Sequence, residues 1–370
     1  MKRFLALGLA LALLLSLSAC QTPHTATQPD PERSAPVDAT DPADGSAAGS
    51  AEGSVEHDPA DQSAAASAEA SESVSAMLIK EPELEQQRGP RTFGLSMPKH
   101  ATLTQAAVAE ALEKRLAALG DSLVTAKPAS DAQEQIAQLN ALAGQKVEAI
   151  FLCPTDGAAL EETVTALSAN LPIFGFGEWD FTPDGMISVI RSDDYNAGYV
   201  CGIDLAERFE DGGDVLVLDR PDSLTMTERT QGFLEAAEES GVELEVQEQL
   251  EVQEHAKDTE KLVKEALKEH PKAVGFFAAS DRDAELLLKA TAGTPCLVYS
   301  ADGSPAMKEQ LGKNPNLAGL GAQSPALMAQ MLEESANEYL DGEAVEEEQS
   351  AGTFLITAKN VEKYGTDGWQ

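Results

Sequence analysis

From residue 92 onward, short apolar runs alternate with longer stretches in which apolar side chains recur three and four positions apart. Phe93-Gly94-Leu95 reads as a strand. The stretch 104–119 then carries Ala107, Ala111, Leu112 and Leu119 on one face, with Gly120 behind them as a stop signal. Leu123-Val124, a helix over 132–142, the strand Ala149-Ile150-Phe151-Leu152, a helix over 158–169 and a strand over 171–176 complete the first half. The second half repeats the rhythm. It gives a strand over 214–218, a helix over 228–240 closed by Gly241, a strand over 242–246 and a helix over 258–269. A strand over 273–278, a helix over 281–290 and a strand over 295–299 follow. Nearly all-apolar strands need cover on both faces, which parallel sheets flanked by helices provide. The pattern predicts an α/β protein of two doubly wound parallel-sheet lobes.

Before residue 91 this rhythm is missing. Lys2 and Arg3 precede an apolar run over 4–15 that is short for a bilayer span, so 1–19 reads as an export signal. The run ends in Leu17-Ser18-Ala19-Cys20 and is similar to the bacterial lipobox, in which the cysteine is diacylated and becomes the new N-terminus. Two acyl chains at about 0.8 kcal/mol per buried CH₂ would make a stable anchor. The alternative is cleavage by an ordinary signal peptidase with Cys20 left bare. Residues 20–90 are rich in Ala, Ser, Pro, Asp, Glu and Gly and poor in aromatic or branched apolar side chains. Such composition predicts a disordered acidic tether with a reach of roughly 45 Å; docking of Met77-Leu78-Ile79 is the one departure it leaves open.

A formal net charge of -37 speaks against binding nucleic acid or anionic lipid through the protein surface. Beyond Cys20, the set Cys153, Cys201 and Cys296 is odd, lacks C-x-x-C spacing and sits among apolar residues, which predicts buried thiols. The five histidines are scattered without metal-ligand spacing. Ser96-Met97-Pro98-Lys99 has the Ser-x-x-Lys spacing of penicillin-recognising enzymes, but Pro98 breaks the helical turn that chemistry needs. Gly175-Phe176-Gly177 lacks the third glycine of a dinucleotide fingerprint. The expectation is no enzyme, no cofactor and no metal.

Several segments carry a family likeness in their order. In Ile150-Phe151-Leu152-Cys153-Pro154-Thr155-Asp156 an apolar strand turns through Pro into a helix. Ser192-Asp193-Asp194, the Arg-containing Thr227-Glu228-Arg229-Thr230-Gln231-Gly232-Phe233, Ala279-Ser280-Asp281, Ser300-Ala301-Asp302-Gly303 and Gly321-Ala322-Gln323 follow. Together, over roughly 92–359, they resemble the ribose- and galactose-type sugar-binding proteins of the type I periplasmic-binding-protein fold. The resemblance implies an N-terminal lobe of 91–192 plus 324–352 and a C-terminal lobe of 193–323 plus 353–370, with three hinge crossings near Ser192, Gln323 and Gly352. It also implies capture of a small polar ligand, above all a sugar, by lobe closure, and delivery to an ABC-type import permease by a monomer anchored at the outer face of a bacterial cell membrane. A ligand-sensing lipoprotein that signals to a membrane receptor is the alternative. A repressor core on the same fold is excluded by the export signal, tether and acidity.

Carried over residue by residue, the resemblance makes Arg229 a fork of N–H donors, Asp302 an acceptor for two adjacent hydroxyls, Gln323 an amide contact at the hinge and Ser280 a shortened stand-in for Asn. The first lobe departs from the family. Gly177 and Glu178 stand at its Asp-Arg pair, Thr102 and Thr104 stand near its Asn and stacking Phe residues, and Cys153 replaces another Asn. An acidic Glu178 suits a ligand with more donors than acceptors, such as an amino sugar, a nucleoside or another amine-bearing polyol. Trp179 would supply the aromatic platform, and Asp281 would cap the following helix. Plainer readings stand beside these: a surface ion pair for Arg229 with Glu228 or Asp222, a turn for Asp302, hinge bonding for Gln323 and an exposed loop for Glu178.

Overall fold

The computed structural model describes residues 88–179, 181–252 and 258–370. The export signal, Cys20 and the tether up to residue 87 lie outside them. The elements run β1 (Thr92–Ser96), α1 (Leu103–Ala118), β2 (Ser122–Thr125), α2 (Ala132–Ala143), β3 (Ala149–Leu152), α3 (Gly157–Ser168), β4 (Ile173–Phe176) and β5 (Ser188–Ser192). Then come α4 (Asp194–Arg208), β6 (Gly213–Asp219), α5 (Leu224–Glu239), β7 (Leu244–Glu251), α6 (Thr259–Glu269), β8 (Gly275–Ala278), α7 (Asp281–Ala290) and β9 (Leu297–Asp302). The chain closes with α8 (Pro305–Gln310), β10 (Leu317–Ala322), α9 (Pro325–Leu340), β11 (Glu348–Ala351), β12 (Phe354–Thr357) and α10 (Val361–Tyr364). Most helices begin on a short polar side chain that can cap them. Thr102, Asp131, Asp156, Asp193, Ser223, Ser280 and Ser324 each accept the N–H three residues on. A cap of this kind stabilises a helix by about 1 kcal/mol.

The strands form two six-stranded sheets, in the orders β11-β5-β4-β3-β1-β2 and β12-β10-β9-β8-β6-β7. Pairing is parallel throughout, except that β12 runs antiparallel to β10. Strand alternation sends Phe151 to the core under α1 and α9, and Ile150 and Leu152 to the core under α2 and α3. In the second sheet Leu216 and Leu218 face one core while Val215 and Val217 face another. The chain passes between the sheets three times, from β5 to α4, from β10 to α9 and from β11 to β12. In each sheet the first strand, β1 or β6, is flanked on both sides by the two that follow it. Winding outward in both directions from one strand opens a crevice at its carboxyl end, where ligands bind in folds of this kind.

Two observations depart from the apolar pattern. The edge strand β7 runs over 244–251 rather than 242–246 and is largely exposed, since an edge strand keeps only part of one face in a core. Helix α4 gives no strong periodic signal because its buried residues include Ala197, Gly198 and Gly202. It lies directly against α5: a Cβ at Gly198 would come 1.8 Å from the Arg229 carbonyl oxygen, and one at Gly232 would come 2.0 Å from that of Tyr195. Glycine removes the side chains that would otherwise hold these backbones apart, so Arg229 comes close to the start of α4. Cys153, Cys201 and Cys296 are buried free thiols. Among the described residues, no helix is long and apolar enough to cross a membrane.

Candidate functional site

Arg229, on the second turn of α5, is 2% exposed. Its Nε donates to Asp194 Oδ1 at 2.8 Å, and its Nη1 donates to Asp302 Oδ1 at 2.7 Å and to the Ala279 carbonyl at 2.7 Å. Burying a guanidinium costs several kcal/mol unless its hydrogens are matched by acceptors, and here two carboxylates and a carbonyl do so. The remaining terminal nitrogen, Nη2, has no acceptor among the described residues.

Asp302 closes β9 with φ of 119°, followed by Gly303 at 75°. A non-glycine residue stays in that region only when its surroundings hold it there. Asp302 Oδ1 is fixed by Arg229, its Oδ2 accepts the Asp281 N–H at 3.1 Å, and its carbonyl accepts the Gln323 N–H at 3.0 Å. At the second crossing Gln323 donates through Nε2 to Asp194 Oδ1 at 3.0 Å. Because that partner is a carboxylate, the nitrogen must face it, which leaves Oε1 buried with no partner. Burial raises the Asp194 carboxyl, and Arg229 and Gln323 pull it back toward the charged form. From the other sheet Glu178, just after β4, reaches across: its Oε1 accepts the Ser223 hydroxyl at 2.8 Å, and Ser223 caps α5. Arg229, Asp302 and Gln323 thus share one hydrogen-bonded group in the second lobe, and Glu178 bridges to the helix that carries Arg229.

The family profile for the periplasmic binding protein domain matches residues 93–344. The chain belongs to the periplasmic binding protein family. A relative of this family, the ribose import binding protein RbsB of Bacillus subtilis, is 25% identical over 280 residues, which is 72% of this chain and 88% of that protein. Among solved structures, a sugar-binding protein of a sugar ABC transporter from Bacillus halodurans superposes with a TM-score of 0.66 at 20% identity, covering 74% of this chain and 99% of its own. A carbohydrate transporter solute-binding protein from Agrobacterium radiobacter, in complex with D-arabinose, gives 0.62 at 22% identity over 74% and 96%. At such identities these structures speak to the fold alone. The family is one of binding proteins and not of enzymes.

The other sequence-selected residues have different surroundings. Ser280 spends its hydroxyl on α7, accepting the Asp283 N–H at 3.2 Å and donating to Asp283 Oδ2 at 3.0 Å. It is the cap of that helix. Asp281 therefore is not; it accepts instead from the Ser300 hydroxyl at 2.6 Å and the Ser304 N–H at 2.7 Å. Trp179 is fully buried in the core beneath the first sheet. Its ring fits notches at Gly157 and Gly175, where a Cβ would stand 3.1 Å and 3.0 Å from ring atoms. A ring so enclosed has no face left for a ligand, which corrects the platform reading. Thr102 caps α1 in a reciprocal box with Gln105, and Thr104 is buried on the same helix.

The structure also recruits residues that sequence reasoning passed over. Asp194 is the acceptor shared by Arg229 and Gln323, and neither spacing nor composition marks a partner 35 positions away. Glu228 is half-buried beside the site, its carboxyl raised by burial first and then by the charge of Asp194. Gln105 and Cys153 meet at Gly177, whose φ is 86°: a Cβ there would lie 2.9 Å from the Cys153 sulfur and 3.1 Å from the Gln105 amide nitrogen. Away from the cleft, Glu248, Glu269 and His270 bring ligand-type atoms within 4.8 Å of one another. Partly exposed acidic groups of this sort are common without an ion.

Proposed function

We propose that this chain is a lipid-anchored, extracytoplasmic solute-binding protein that captures a small polyol, of the sugar class, by lobe closure and delivers it to an ABC-type import permease. The observation that carries the reading is the convergence of Arg229, Asp302 and Gln323 at the carboxyl ends of the second sheet, with Arg229 Nη2 and Gln323 Oε1 left without partners among the described residues. A sugar presents hydroxyls that donate and accept side by side, and a fixed fork beside a carboxylate matches that pattern. The relatives named for ribose and bound to D-arabinose point the same way. Closure is supported by Glu178 and Ser223, which join the two lobes away from the crossings.

The full chain is tested in a thermal-shift screen of pentoses, hexoses, polyols and nucleosides, because a ligand that binds only the native state raises its stability. A hit among the sugars or polyols is expected; hits confined to nucleosides would refute the sugar class. The anchor is tested separately with Cys20→Ser. The variant is expected in the soluble extracytoplasmic fraction while the wild type stays with membranes, and an unchanged membrane fraction overturns the anchor.

A further inference from the structure

The charges that line the cleft do not balance. The buried guanidiniums at the carboxyl ends of the second sheet are already held, Arg229 by Asp194 and Asp302 and Arg220 by Asp283 and Asp222. Arg191, a cation whose charge acts on Glu228, lies 3.6 Å from Glu348. Two half-buried carboxylates remain, Glu178 from the first lobe and Glu228 from the second, and among the described residues neither forms an ion pair. Glu228 feels the negative charges of Asp194, Asp193 and Glu178.

The open hydrogen-bonding positions have the same bias. Glu178 Oε1 takes the Ser223 hydroxyl, and Oε2 has no donor among the described residues. Gln323 is 4% exposed, yet its Oε1 has no partner. The carboxylate of Glu228 adds further acceptors. On the donor side, Arg229 Nη2 is the nitrogen of that guanidinium without an acceptor among the described residues. A site so rich in acceptors is completed by a ligand rich in donors, and an ammonium offers three N–H groups and no acceptor. Because the two glutamates come from opposite lobes, closing the cleft crowds like charges, and a cation between the lobes removes that repulsion.

We propose that the captured molecule is a protonated amine bearing adjacent hydroxyls, an amino sugar or amino polyol, with its ammonium on Glu178 and Glu228 and its hydroxyls on Arg229, Asp302 and Gln323. This rests on the polyol reading of the cleft and sharpens it.

Calorimetric titration of the full chain with matched pairs separates the two readings: D-glucosamine against D-glucose, D-galactosamine against D-galactose and 1-amino-1-deoxysorbitol against sorbitol, with spermidine as a hydroxyl-free amine. At pH 6.5 and moderate salt the amino member of at least one pair is expected to bind about tenfold tighter than its neutral sibling. That ratio is expected to fall to about one in E178Q/E228Q. Equal or tighter binding of the neutral members overturns the amine proposal and leaves the sugar reading standing. A preference that persists in E178Q/E228Q also overturns it, since it would then come from the overall negative charge. Spermidine binding without any response to the hydroxylated ligands overturns the polyol reading, and silence from every arm overturns both.

Discussion

Replacing Arg229 by methionine tests whether its ion pairs are a buried structural group or a solvated surface contact. Methionine keeps most of the apolar stem and removes the guanidinium. Asp194, whose side chain is 7% exposed, then loses the Nε bond at 2.8 Å and its only ion pair among the described residues, while Asp302 loses the bond at 2.7 Å. Breaking a buried pair by removing one partner costs about 3–5 kcal/mol, because a charge is left uncompensated. At roughly 2–4 °C per kcal/mol for a domain of this size, the melting temperature is expected to fall by about 10 °C at pH 8. The pH dependence has a definite sign. In the variant the folded-state pKa of Asp194 rises further above its unfolded value of about 3.9, so the folded protein holds a proton that the unfolded chain releases. Stability lost to this group is nil below the unfolded pKa and grows as pH rises toward the folded one, so the deficit should be smaller at pH 5 than at pH 8. Thermal denaturation of both proteins at the two pH values is the assay. A variant that melts within about 2 °C of wild type at pH 8 would assign Arg229 to the class of surface pairs worth about 0–1 kcal/mol and refute the reasoning.

Other substitutions probe the remaining contacts. The Asp281 carboxyl is pushed up to about 7, by burial first and by the charge of Asp302 second. The folded protein therefore loses stability as pH rises from about 4 through 7. Asp281→Asn, which can keep an acceptor for the Ser304 N–H, should melt above wild type at pH 8 with the gap narrowing toward pH 5; a gap independent of pH would contradict this. Gly198→Ala places a methyl 1.8 Å from the Arg229 carbonyl oxygen, a backbone contact no rotamer can relieve. Chemical denaturation should show a loss of about 3 kcal/mol or more, and a near-neutral result would mean that α4 and α5 are not packed as described. Trp179→Phe should leave ligand affinity unchanged in calorimetry and cost under about 2 kcal/mol, since it also removes the buried, unpartnered Nε1. A large loss of affinity would return Trp179 to the binding surface.

The fold was largely legible because its signal is local. Runs such as Ala149–Leu152 and Gly275–Ala278 are buried on both faces, and an all-apolar strand between helices has few other solutions. Arg229, Asp302 and Gln323 could be selected because the segments that carry them resemble those of the sugar-binding family in their order along the chain. What the sequence hid is pairing at a distance and direction of side chains. Asp194 follows a capping Asp193 and looks like a second helix-start acid, although it anchors Arg229 and Gln323. Ser280, not Asp281, is the cap because the helix already starts at Asp281, one residue earlier than a cap there would allow. Trp179 follows an acidic loop residue and so looks exposed; two glycine notches 18 positions apart, at Gly157 and Gly175, receive its ring instead.

Capture in the cleft is tested most directly by titrating the best ligand of the sugar and amino-sugar panel into wild type and Asp302→Asn. Asp302 lies at the centre of the proposed contacts, with a side chain 21% exposed, so its substitution can act on the ligand directly. One ligand per chain is expected, with affinity at least about tenfold weaker in the variant, as loss of a charge-assisted hydrogen bond requires. Equal affinity for both proteins would place the ligand elsewhere and contradict the account.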